Sequence, residues 1–72
     1  MKIGSLWFDN SKDSLHIKLK RAVEFYEKKY GQKPNAVYVN PKEDVTGLPL
    51  EGITVRTNRS VLPNHYWIGL DG

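Results

Sequence analysis

Apolar side chains between Ser11 and Tyr30 recur at offsets of three and four residues, which is the period of an α-helix. The stripe they form consists of Leu15, Leu19, Ala22, Val23, Tyr26 and Tyr30. The opposite side of this segment is charged and therefore suits water. An isolated helix of this length is marginal in water, so the apolar stripe has to pack against the rest of the chain.

The residues at the two ends of this segment define where the helix begins and ends. Ser11 and Asp13 can both accept a hydrogen bond from the first turn, and we favour Ser11 as the N-cap. Gly31 can adopt the left-handed conformation that follows a helix, and Pro34 cannot continue one. The pattern predicts a helix over residues 11–30.

Four short apolar segments, at residues 3–8, 36–40, 52–57 and 65–70, predict β-strands. A strand, a helix and a second strand predict a right-handed βαβ unit, in which the two strands are parallel. We expect the last two strands to form an antiparallel hairpin and the first strand to be central. The loop at residues 41–52 contains Val45, Leu48 and Leu50, so we expect it to lie against the body.

These elements predict one α+β domain over residues 1–72, a two-layer sandwich with the order β-α-β-β-β. Its single helix packs on one side of a mixed four-stranded sheet. Strand side chains alternate between faces, and the apolar sets we expect beneath the helix are Leu6, Phe8, Val37, Val39, Ile53, Val55, Tyr66, Ile68 and Leu70. The opposite face then receives Ser5, Trp7, Ala36, Tyr38, Thr54, Arg56, Trp67 and Gly69.

One helix cannot cover both sides of a sheet, so this aromatic second face needs an explanation. A loop could fold over it, using Val45, Leu48 and Leu50 or Val61, Leu62 and Pro63. Two chains could instead pair, face to face or edge to edge. Alternatively the face could bind a ligand, because aromatic side chains beside arginine can stack the bases of single-stranded nucleic acid.

We predict a small non-enzymatic protein-interaction module whose partner is another protein or a second copy of itself, which would make it a homodimer. Weak binding of single-stranded nucleic acid through the same face is the alternative. The candidate binding residues are Trp7, Tyr38, Arg56, Arg59 and Trp67. A smaller candidate contact patch lies on the helix, where Ile17, Arg21 and Phe25 follow one another at four-residue spacing away from the apolar stripe.

Composition limits the chemistry that this chain can support. It has no cysteine, which excludes disulfides and thiolate zinc sites, and its 2 histidines lack metal-ligand spacing. No serine has an identifiable base beside it, so we predict no catalytic residue, metal or cofactor. Asp9 follows the first strand, where α/β folds often hold a site, and together with Asn10 and Ser11 it could bind an anion. A capping turn explains the same residues more simply.

Charge and hydropathy give a broad expectation about location. The formal charge of +3 favours an anionic partner only slightly. Residues 1–5 have no apolar run typical of a signal peptide, and no segment approaches the roughly 20 apolar residues of a membrane span. We therefore expect a cytoplasmic protein without a membrane partner.

Two stretches resemble a family of short bacterial proteins for which no activity is established. They are YEKKYGQKPNAVYVNP from Tyr26 to Pro41 and VRTNRSVLPNHYWIGL from Val55 to Leu70. The shared pattern is a helix ending in Lys-Tyr-Gly, a proline before a valine-rich strand, and Val-Leu-Pro leading into a Trp-Ile-Gly strand. The resemblance covers most of the chain, implies a one-domain protein and adds no catalytic residue.

Overall fold

The computed structural model describes residues 3–48 and 50–71. Met1 and Lys2, part of the segment judged to lack a signal peptide, lie outside the described residues, as do Gly72 and Pro49 of the 41–52 loop. The elements along the chain are β1 (Ile3–Phe8), α1 (Leu15–Tyr30), β2 (Ala36–Val39), β3 (Thr54–Thr57) and β4 (His65–Leu70). One helix packs on a mixed four-stranded sheet, and the predicted α+β architecture is confirmed.

The strand order is β1-β4-β2-β3, with β4 antiparallel to both of its neighbours and β3 parallel to β2. Because β1 and β2 both run against β4, they point the same way, as expected for the strand-helix-strand unit. The predicted central position of β1 is wrong, since β1 is an edge strand. The predicted β3–β4 hairpin is also wrong, because β2 lies between these two strands. The last strand enters the gap between the first two, which local pattern does not reveal.

Helix α1 begins at Leu15, four residues later than predicted, because the preceding segment is held in a turn. The carboxylate of Asp9 accepts a hydrogen bond from the Ser11 amide at 2.9 Å. Ser14, rather than Ser11 or Asp13, is the N-cap, and its hydroxyl accepts from the amide of Ile17 at 3.4 Å. The predicted end is confirmed: the helix stops at Tyr30, and Gly31 follows with a φ of 72°.

The core lies between the helix and the side of the sheet that it covers. Its fully buried members are Leu19, Ala22, Tyr26, Val37, Val39, Tyr66 and Ile68. The long β2–β3 connection also contributes, because Val45, Leu48 and Leu50 pack against this cluster. The expectation that this loop lies against the body is confirmed. Through these three residues the loop extends the helix layer, and none of them covers the opposite side of the sheet.

The faces of β1 are reversed relative to the prediction. Trp7 pairs with Tyr66, a core residue, and its ring lies 5.0 Å from that of Phe25 on the helix. Ser5 pairs with Ile68 and lies on the same side, so Leu6 and Phe8 point away from the helix. A shift of one residue exchanges every side chain of a strand between faces. Both alternating sets of β1 contain large apolar residues, and pairing with β4 decides between them.

Candidate functional site

The sheet carries a row of large side chains on the side away from the helix, which we name the open face. Leu6 on β1 pairs with Trp67 on β4, Trp67 pairs with Tyr38 on β2, and Tyr38 pairs with Arg56 on β3. Directly paired residues point to the same side of a sheet, so these four form one line across it. Leu6 is 49% exposed and Trp67 is 41% exposed. The open face therefore presents apolar surface to solvent.

Phe8 and His65 form a second pair on the open face, next to the first row. Their ring centroids lie 4.8 Å apart, and Phe8 remains 55% exposed. His65 Nδ1 lies 2.8 Å from the carbonyl oxygen of Pro63. Since a carbonyl oxygen can only accept, this contact is a hydrogen bond donated by Nδ1, and it orients the ring. Phe8 thus extends the apolar surface toward one end of β1.

The β3–β4 loop forms a wall beside this surface. The Asn58 amide donates to the carbonyl oxygen of Val39 at 2.8 Å, and the Asn40 side chain donates to that of Val61 at 2.8 Å. Val61 is buried, whereas Leu62 is exposed. The loop borders an open groove of about 440 Å³ lined by Gly4, Tyr38, Asn58, Ser60, Val61 and Trp67. Val61 therefore covers part of the open face. Most of the row that runs from Leu6 to Arg56 stays uncovered.

Polar contacts fix the side chains at the β2–β3 side of the open face. The Tyr38 hydroxyl donates a short hydrogen bond to the Asp71 carboxylate. That hydrogen bond, partial desolvation and the charge of Asp71 raise the pKa of Tyr38, and the Arg56 charge opposes them. Asn35 bonds the Asp71 backbone at 2.8 Å and 3.2 Å, which holds the end of β4 in place. Tyr38 is thus a neutral ring in a fixed position, with one positive and one negative side chain beside it.

The five candidate binding residues do not all meet. Tyr38, Trp67 and Arg56 lie together in the row across the open face. Trp7 lies on the helix side of the sheet, so its assignment to the aromatic face is wrong. Arg59 is exposed in the loop, between the two groove-lining residues Asn58 and Ser60.

Sequence reasoning missed Leu6 and Phe8 as members of this surface. The alternation of β1 places both on one side of the strand, and the prediction that this side lies beneath the helix is wrong. The available signal was the glycine and serine content of β1. Neither Gly4 nor Ser5 identifies a buried face, so the sequence does not determine which side of β1 faces the helix.

A polar cluster lies where β1 ends and the helix begins. Arg21 contacts the Asp9 carboxylate at 3.2 Å and the Asp13 carboxylate at 2.6 Å. Hydrogen bonds from Ser11, and then Arg21, lower the pKa of Asp9. With its oxygens occupied by Ser11 and Arg21, Asp9 serves as the acceptor of a capping turn. The alternative of an anion site at this helix end gains no support.

Two further buried side chains carry polar groups: Lys18, whose burial was not expected, and Tyr66, which was expected beneath the helix. Lys18 is buried, and its Nζ lies 3.4 Å from the side-chain oxygen of Asn64. Tyr66 is fully buried, and its hydroxyl makes no hydrogen bond of good geometry within the described residues. Burial, followed by the nearby charges of Glu43 and Asp9, raises the pKa of Tyr66 to about 12. Neither residue lines a groove identified on the described part of the chain.

Residues 3–48 and 50–71 contain no cluster of histidine, aspartate and glutamate side chains that could hold a metal ion. In the same residues, the helix is too short and too polar to cross a membrane. No family model, curated protein or solved structure gives a significant match to the chain. The resemblance to a family of short bacterial proteins stays a prediction.

Proposed function

We propose that this protein is a small non-enzymatic protein-interaction module whose contact surface is the open face. The observation that carries this proposal is the exposure of Leu6, Phe8 and Trp67 side by side on one rigid sheet. Isolated exposed apolar residues are ordinary, but a contiguous group of them is typical of an interaction surface.

The geometry of this surface suits protein binding energetically. Burial of apolar area yields roughly 25 cal/mol per Å², and aromatic side chains held in fixed positions lose little entropy on binding. Trp67 lies between Leu6 and Tyr38 in the row, as binding hot spots usually lie within a surrounding contact. Arg56 stands at one end of the same row, where it can form a polar rim.

The test is a selection of peptides from a random library on the immobilised full-length chain. We expect the selected peptides to be rich in apolar and aromatic residues and to lose at least about tenfold in affinity for Trp67→Ala, as expected for a hot spot. Ile17→Ala is the matched control, because Ile17 is 44% exposed but lies on the helix. Peptides that bind both variants equally well, or that respond to Ile17→Ala instead, would contradict the proposal.

Binding of single-stranded nucleic acid is the second candidate, and the row of Trp67, Tyr38 and Arg56 favours it. Two aromatic rings on neighbouring strands can stack successive bases, and an adjacent arginine can meet a phosphate. The Asp71 carboxylate, bonded to Tyr38, repels phosphates at the same place. This repulsion is why protein binding is the leading proposal.

Titration of the full chain with a thymidine oligonucleotide at low salt distinguishes the two candidates. Nucleic-acid binding predicts a change in tryptophan fluorescence, a steep loss of affinity as salt rises, and weaker binding by Arg56→Ala. Phosphate-driven binding is strongest at low salt. An unchanged tryptophan signal at about 10 mM salt and high oligonucleotide concentration therefore excludes this candidate.

A further inference from the structure

Strand β1 has a free edge. The ladder that it shares with β4 shows which of its backbone N–H and C=O groups point toward β4 and which point outward. The Asp9 amide donates to the carbonyl oxygen of Asn64 at 2.9 Å, which continues the register of Phe8 with His65. Hydrogen-bonded and non-hydrogen-bonded pairs alternate along an antiparallel ladder. Ser5 and Trp7 therefore bond to β4, whereas the N–H and C=O groups of Gly4, Leu6 and Phe8 point outward from the sheet.

No backbone hydrogen bond outside the sheet involves these outward groups within residues 3–48 and 50–71. The sequence of β1, IGSLWF, contains no charge and no proline. Natural proteins usually protect an edge strand with such residues, because an unprotected edge pairs with another strand. The opposite edge of the sheet, β3, is shorter and carries Arg56. The two edges of this sheet therefore differ in how open they are to pairing.

Apolar side chains flank the β1 edge on both sides of the sheet. Leu6 and Phe8 lie exposed on the open face. On the helix side, Phe25 is 40% exposed and contacts Trp7 of β1. Ile17 and Arg21 continue the Phe25 row along the helix, and Arg21 reaches back to Asp9, the residue after β1. This row therefore lies above the β1 edge, and its one charged side chain, Arg21, is paired with the Asp9 and Asp13 carboxylates.

We propose that β1 pairs with β1 of a second copy of this chain, antiparallel and across a two-fold axis at Leu6, which makes one continuous eight-stranded sheet. This inference concerns the free edge, so it goes beyond the proposed function of the open face, and either can fail alone. It names the mode by which two copies associate.

The composition of β1 makes the strand complementary to itself in this register. The outward groups of Leu6 bond to Leu6 of the second copy, and those of Gly4 bond to Phe8. On the open face the Phe8 ring then lies across from a glycine, which has no side chain to obstruct it and gains cover from the aromatic ring. Each outward N–H and C=O of the strand finds a partner. The open faces of the two copies become one surface.

Concentration-dependent amide hydrogen exchange on the full-length chain, with sedimentation in parallel, tests this pairing residue by residue. In the monomer, the amides of Ser5 and Trp7 are protected and those of Leu6 and Phe8 exchange freely. In the dimer, we expect exchange at Leu6 and Phe8 to slow by at least about tenfold, since each gains a ladder bond whose opening follows dimer dissociation.

Variants separate edge pairing from other contacts. Phe8→Lys places a charge beside the edge and should raise the dimer dissociation constant at least about tenfold. Leu62→Lys is the matched control, because Leu62 is 64% exposed but lies in the β3–β4 loop. It should leave the constant within about twofold, the scatter expected of a residue outside the contact.

Three results would overturn the proposal. They are a monomer at all concentrations up to the solubility limit, a dimer in which Leu6 and Phe8 amides still exchange freely, and a dimer weakened equally by the two lysine variants. The second result leaves the proposed function of the open face intact, because a dimer could then form through that face. If peptides do not bind the open face but the Leu6 and Phe8 amides are protected in the dimer, the proposed function fails and the edge pairing stands.

Discussion

At the scale of single residues, the most unusual groups are buried polar atoms without partners. The Trp7 indole nitrogen and the Tyr66 hydroxyl are both buried and make no hydrogen bond of good geometry within the described part of the chain, although Glu43 lies near enough to Tyr66 to help raise its pKa. Each such group costs roughly 1–3 kcal/mol of desolvation that a partner would offset. Both residues contribute to the fold through rings that pack on the helix side of the sheet. We therefore expect their polar atoms to be dispensable for folding.

Tyr66→Phe tests this interpretation. At neutral pH we expect the free energy of unfolding to stay equal or to rise by about 1 kcal/mol, because the variant removes an unpaired hydroxyl and keeps the ring. Urea unfolding measures the change. Tyr38→Phe is the control, and it should lose stability because the Tyr38 hydroxyl is bonded to Asp71. A clear loss in Tyr66→Phe would show that the hydroxyl has a partner in solution.

The raised pKa of Tyr66 also predicts a pH dependence. In the unfolded chain a tyrosine ionises near pH 10, whereas the pKa of Tyr66 in the folded protein is about 12. The folded state therefore keeps its proton in a range where the unfolded state loses it. The stability that this group contributes is complete below about pH 10 and is lost as the pH rises toward 12.

The wild type and Tyr66→Phe can be compared across this range by urea unfolding. We expect the wild type to lose more stability than the variant between about pH 10 and 12, because lysine titration is common to both. Parallel curves would mean that Tyr66 is exposed to solvent or that its pKa is not raised.

At the scale of elements, the helix shows which parts of this fold are readable from sequence. Its end at Tyr30 follows from Gly31 and Pro34, which act locally and have few alternatives. Its beginning was placed too early because Asp9, Ser11, Asp13 and Ser14 can all accept a capping bond. Three-dimensional contacts choose among them: Arg21 draws Asp9 and Asp13 into ion pairs and leaves Ser14 as the cap.

Ser14→Ala tests this choice of N-cap. We expect the variant to lose about 0.5–1 kcal/mol of unfolding free energy, the lower part of the usual range, because the bond to Ile17 is long and exposed. Ser11→Ala should cost less, since Ser11 lies outside the helix. Helicity by circular dichroism and urea unfolding give both values. A larger loss for Ser11→Ala would restore Ser11 as the cap.

The strands show the complementary limit. Their positions and the faces of β2, β3 and β4 follow from alternation, because each has one plainly apolar side. The face of β1 cannot be predicted in this way. Leu6 and Phe8 make one of its alternating sets apolar, and Trp7 makes the other set apolar as well. The strand order is also beyond local pattern, because it depends on residues far apart in sequence, such as Ile3 beside Leu70. The candidate site was accordingly found in part: Tyr38, Arg56 and Trp67 were expected, and Leu6 and Phe8 were not.

At the scale of the whole molecule, the first and last strands pair along their full length, from Ile3 with Leu70 to Phe8 with His65. This ladder joins residues that are far apart in the sequence, and such non-local pairing slows folding. Fusing Gly72 to Met1 would turn β4 and β1 into neighbours joined by residues 71, 72, 1 and 2. That length lies within the usual range of hairpin loops.

A circular permutant with this fusion and new ends between Gln32 and Lys33 should fold to the same structure and refold at least severalfold faster. Both cut residues are exposed, and the β4–β1 ladder becomes a local hairpin with a small loop-closure entropy. Stopped-flow refolding from urea measures the rate. A second permutant, cut between the exposed Thr46 and Gly47, shares the fusion and controls for the position of the cut. If neither permutant refolds faster than the chain in its original order, closure of the β1–β4 ladder is not the slow step of folding.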